Sequence, residues 1–118
     1  MGWCMIVVNN KQLEPQEKKE MKVLTDKHQK LYNSFYESTR NNEHIDTKTE
    51  ILVGLSAALA MNCSPCTSYY LKAAKKENVT KGEIKEVLAK VMAVAAGQKR
   101  LQAQEVIESN GIDIELFK

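Results

Sequence analysis

"DTKTEILVGLSAALAMNCSPCTSYYLKAA" (residues 46–74) is the stretch whose reading decides the fold. Asp46 is a good helix N-cap, because its carboxylate can accept the free N–H groups of a first turn. The run after it is apolar on nearly every side and rich in Ala, Gly and Ser. That pattern predicts a buried helix whose small residues let neighbouring backbones come close. Ser64 followed by Pro65 reads as an N-cap and first helical position, so a further helix is predicted to start at the Cys-x-x-Cys and continue through "TSYYLKAAKKEN".

Downstream, "NVTKGE" supplies a stop and a restart. Thr80 with Glu83 three residues on forms a capping box for "KGEIKEVLAKVMAVAAG". Gly97 ends or bends that helix, and "QKRLQAQEVIESNG" reads as a fifth, closed by Asn110 and Gly111. The tail "IDIELFK" takes no assignment. Upstream, Pro15 fits a first helical turn, and Met21, Leu24, His28, Leu31, Tyr32 and Phe35 recur at spacings of three and four. They predict one face of a long helix reaching about Arg40, with His28 at the edge of a core. "MIVV" near the start fits a strand or an apolar plug.

No alternating run rich in Val, Ile and Thr supports a sheet. The expectation is an all-α domain covering residues 1–118, a bundle of about five helices. The helix after Asp46 and the one after Thr80 both carry long Ala-rich runs. So much apolar surface on so short a chain predicts a homo-oligomer.

Charged residues make up 27% of the 118-residue chain, the formal net charge is +2, and both signs are mixed along it. No long basic block marks a nucleic-acid or membrane footprint. "MGWCMIVVNN" lacks the charge and cleavage pattern of a signal peptide. Gly2 is followed by Ile6 where myristoylation wants Ser or Thr, and the longest apolar run, residues 51–61, is too short to span a bilayer. A soluble, cytoplasmic protein is expected. Three cysteines are too few and too odd in number for a secreted disulfide framework. Cys4, beside Trp3, Met5 and Ile6, reads as a small buried hydrophobe.

Cys63 and Cys66 therefore pose the functional question. Tetrahedral zinc needs about four ligands, and the remaining candidates, Cys4, His28 and His44, are scattered, so no metal and no cofactor is expected. A thioredoxin fold would set the pair after a strand, whereas a helix precedes it here. The local chemistry is similar all the same. Near a helix start the free N–H groups favour a thiolate, and a spacing of three puts both sulfurs within disulfide reach. Tyr70, four residues after Cys66, shares its helical face, and Glu50 is the nearest carboxylate in sequence. Lys72, Lys75 and Lys76 raise the local potential. Each also has an ordinary reading: Tyr70 as core with a wet tip, Glu50 as a helix-start charge, the lysines as solvated surface.

Residues 46–97 resemble the carboxymuconolactone decarboxylase/AhpD-like superfamily, in its succession of helix, Cys-x-x-Cys, helix and Ala-rich helix. The resemblance implies an all-α fold assembled into trimers or hexamers. It implies disulfide-cycling peroxidases or thiol oxidoreductases in the branch that carries the pair, reduced by a dithiol or a lipoylated protein. It also implies Cys66 as the attacking thiol, whereas the helix start favours Cys63. Two positions depart from the family pattern. Tyr70 stands where a relay histidine is usual, and Ile51 where a relay glutamate is usual, with Glu50 one residue off. The function expected is a thiol–disulfide oxidoreductase of peroxidase type, in antioxidant defence. The alternatives are an oligomeric scaffold or small-ligand binder without the relay, and, behind both, a lactone decarboxylase.

Overall fold

The structure, a computed structural model, describes residues 22–118. It is all-helical. Helix α1 spans Asp26–Ser38, α2 Thr47–Ala60, α3 Ser64–Lys76 and α4 Lys81–Ser109, followed by a 3-10 turn at Ile114–Leu116. Among the described residues there is no strand. The expectations for "MIVV", Cys4, Pro15 and Met21 lie outside the described residues.

Local chemistry sets the helix starts. Asp46 caps α2 by accepting the Thr49 N–H at 2.7 Å. Hydrogen bonds from the Thr49 side chain and backbone hold its carboxyl below the usual range. Thr80 and Glu83 complete the capping box on α4, with the Thr80 N–H donating to Glu83 Oε1 at 2.9 Å and the Glu83 N–H to Thr80 Oγ1 at 3.2 Å. Lys48, in the first turn of α2, reaches Glu83 at 2.6 Å and ties the two helix starts together.

Helices α2, α3 and α4 end on one device. Asn62 (φ 57°), Asn78 (φ 60°) and Gly111 (φ 61°) are left-handed, one position past the caps of α2, α3 and α4. Each following N–H then reaches back to a carbonyl of the last turn: Cys63 to Ala58 at 2.9 Å, Val79 to Ala74 at 2.9 Å, Ile112 to Ile107 at 3.0 Å. Glycine and asparagine tolerate this backbone best, which is why these residues stop the helices.

Four expectations change. The predicted fourth and fifth helices are one, because Gly97 keeps right-handed backbone and α4 runs unbroken through it. A helical glycine costs about 1 kcal/mol against alanine, less than neighbours such as Ala95, Ala96 and Gln98 can carry. The helix that carries Leu31, Tyr32 and Phe35 begins at Asp26, since Thr25 is extended (φ −64°, ψ 160°) and its hydroxyl accepts the His28 N–H. Leu24 therefore precedes the helix. His28 is exposed rather than at a core edge, and α1 has no buried residue. Finally, the N-cap of α3 is Cys63, not Ser64. Pro65 becomes the second helical residue, where its missing N–H is equally harmless.

Helix α2 is central and packs on α3 and α4. Ile51, Leu55 and Ala58 of α2 meet Tyr70 and Ala74 of α3 in the buried core, with Leu59, Cys66, Val79, Ile84 and Val87 packed around them. Gly54 is what lets Tyr70 in, for a Cβ at that position would overlap the phenol ring. Among the described residues this core is small. The radius of gyration is 19.6 Å, against about 13 Å for a compact 100-residue domain. At about 1.5 Å per residue the 29 residues of α4 extend over roughly 43 Å, with Met92, Val94, Leu101 and Val106 exposed.

Candidate functional site

The turn out of α2 delivers the two cysteines. Left-handed Asn62 reverses the chain, the Cys63 N–H closes on Ala58, and Cys63 becomes the cap residue of α3 with extended backbone (φ −96°, ψ 97°). One turn later Cys66 comes round to the same side. Cys63 and Cys66 are joined by a disulfide, with their Cα atoms 5.3 Å apart. The Cys63 carbonyl accepts both the N–H (2.9 Å) and the hydroxyl (2.8 Å) of Thr67, which pins the start of the helix.

Both cysteines are half-buried, but they face different surroundings. Cys66 packs against the cluster that contains Tyr70. Cys63 lines an open groove of ≈ 590 Å³, together with Ala58, Leu59 and Leu71 as apolar floor and Lys72 as its charge. Cys63 makes no side-chain cap hydrogen bond. The residue at N2 is Pro65, so the cap-facing N–H open to a reduced Cys63 sulfur is that of Cys66 at N3. A sulfur freed from this disulfide would sit at a helix start, where unpaired N–H groups favour negative charge.

Tyr70 stands at the relay position and is buried, 8% exposed. Its pKa is pushed up to about 12, first by burial, then by a hydrogen bond with Tyr36 and the negative charge of Glu50, against a smaller opposing pull from Arg40. A phenol held neutral in this way can donate or accept a hydrogen bond, but it is no base near neutral pH. Ile51, at the relay-glutamate position, is sealed in the core at 3% exposed. Glu50 points elsewhere, into a second groove of ≈ 700 Å³ that it lines with Arg40, Tyr69 and Lys72.

The structure therefore gathers the candidates into two neighbouring groups. One is the disulfide with its groove. The other is Tyr70, Tyr36, Glu50, Arg40 and Tyr69. Arg40 lies 4.8 Å from the ring centre of Tyr36 and 4.5 Å from that of Tyr69, and pairs with Glu37 at 3.1 Å. Tyr69 and Tyr70 meet edge to face at 5.0 Å. Sequence reading missed Tyr36, Arg40 and Tyr69. The signal available was the spacing of four between Tyr36 and Arg40, which sets a ring and a cation on one face near the end of α1. Lys72, Lys75 and Lys76 are exposed, as solvated cations should be.

Among the described residues no cluster of three or more His, Cys, Asp or Glu could hold a metal ion. No helix among them is long and apolar enough to cross a membrane. The family model for the carboxymuconolactone decarboxylase family matches residues 26–109, which takes in α1 to α4. No curated protein and no solved structure matches the chain.

Proposed function

Because the chain belongs to the carboxymuconolactone decarboxylase family, with a cysteine pair at the start of α3, we propose that it is a thiol–disulfide oxidoreductase of peroxidase type in antioxidant defence. The observation that carries this reading is the Cys63–Cys66 disulfide with Cys63 opening onto a groove. In the reduced protein the Cys63 thiolate attacks the terminal oxygen of a hydroperoxide. The O–O bond breaks, the alkoxide leaves and takes up a proton as the alcohol, and the sulfur becomes a sulfenic acid. The Cys66 thiol then attacks that sulfur, expels water and forms the disulfide. A dithiol, free or lipoyl-borne on a partner protein, returns both sulfurs to thiols through a mixed disulfide and is itself oxidised. The chain works as a homo-oligomer, a trimer or hexamer, which would cover the exposed face of α4. Tyr70 is a hydrogen-bonding and packing group here rather than a base, and Glu50 acts through charge.

One observation favours a second reading. With Tyr70 buried and Ile51 in the core, the family's proton relay is not rebuilt, as would suit a scaffold or ligand binder. Peroxide consumption with dithiothreitol as reductant separates the two. Turnover by the native protein, lost in both Cys63→Ser and Cys66→Ser, is the expected result. Three equally inert proteins would leave the scaffold.

A further inference from the structure

We infer that the groove beside Cys63 takes an amphipathic organic hydroperoxide, with its apolar body on Ala58, Leu59 and Leu71 and its ionised carboxylate held by Lys72. The inference deepens the peroxidase reading and depends on it for the chemistry, though not for the binding. The groove has ≈ 590 Å³, an apolar floor and neutral polar walls. Among the described residues Lys72 is the one charged group lining it, and no carboxylate does. Among those same residues Lys72 has no ion-pair partner.

Position along the helix fixes the geometry. Ser64, Ser68 and Lys72 stand at spacings of four, one row along α3 that borders the groove. Lys72 stands about 12 Å beyond Ser64 along the axis, and helical side chains lean back toward the N-terminus. A ligand with its reactive end at Cys63 thus lays its body along the floor and its far end near the ammonium. Lys72 also lines the second groove, where Lys75 and Lys76 add positive charge; the carboxylates there, Glu50 and Glu77, do not line the first. Hydrogen peroxide uses neither floor nor cation, and a neutral hydroperoxide leaves the cation unpaired. The reaction balances: ROOH and two thiols give ROH, water and the disulfide.

The test compares a fatty-acid hydroperoxide, below its micelle concentration, with its methyl ester, with dithiothreitol as reductant. The expected result is kcat/KM about fivefold higher for the acid, the worth of one semi-exposed ion pair. That preference falls to about one in Lys72→Gln and persists in Lys72→Arg and in Lys99→Gln, a charge loss far along α4. Equal use of acid and ester by the native protein, or a preference that survives Lys72→Gln, overturns the inference. If no hydroperoxide is consumed, the peroxidase reading fails and calorimetry decides the site. The corresponding hydroxy fatty acid should bind the disulfide form about fivefold more weakly in Lys72→Gln, and equal binding overturns the anion site.

Discussion

Gly54 and Tyr70 show how one residue licenses another. The ring of Tyr70 fills the space a Cβ on Gly54 would take, so Gly54→Ala forces α2 and α3 apart. Overpacking of this kind costs about 1–3 kcal/mol. For a domain this small the melting temperature should fall by about 4–8 °C per kcal/mol, readable by calorimetry. Tyr70 itself gives a pH signature. Its folded pKa of about 12 lies above the ordinary 10.0, so the folded state holds the proton more tightly than the unfolded chain. The stability this contributes is complete below pH 10 and is lost as the pH rises toward about 12. Alkaline denaturation should therefore steepen in that window, by on the order of 2 kcal/mol. A phenolate absorbance titration should show one tyrosine ionising near 12 that vanishes in Tyr70→Phe.

Helix boundaries depend on a few residues, and the caps are where the sequence was most legible. Asp46, Thr80 with Glu83, and the Asn110–Gly111 stop all behave as their chemistry predicts, because capping is local. Asn78 is equally local. Asn78→Ala should destabilise by about 1 kcal/mol in denaturant titration while Asn78→Gly is tolerated, since φ is 60° there. Gly97 was not legible, because whether a glycine ends a helix depends on the residues after it, and "QKRLQAQ" is strongly helix-forming. The cysteines were placed correctly at the start of α3 but one position off in the cap, since Pro65 suits either of the first two helical residues. The spacing of four between Tyr36 and Arg40 is local, but what the pair packs on is not, because Tyr70 and Tyr69 lie more than 25 residues away in sequence. At this scale the N-cap geometry also makes a chemical prediction. Reduced Cys63 should be alkylated with a midpoint below the free-thiol value of about 8.5, and faster than Cys66, as followed by peptide mass after trapping.

At the scale of the whole molecule, the described residues leave much apolar surface uncovered. A radius of gyration of 19.6 Å and exposed Leu31, Phe35, Leu88, Met92 and Leu101 leave apolar faces that a second copy would cover. Sedimentation should give a multiple of the 13.3 kDa chain, reduced by Leu101→Glu; a monomer at micromolar concentration would contradict the proposed assembly. The function proposed for that assembly reduces to whether one pair of sulfurs stores two electrons. The direct measurement is a single turnover: fully reduced protein, one equivalent of cumene hydroperoxide, and the intact mass with a thiol count. The predicted result is loss of two hydrogens and two thiols per chain, with a Cys63–Cys66 linkage in the digest and one equivalent of alcohol. A protein that keeps both thiols and leaves the hydroperoxide intact would contradict it.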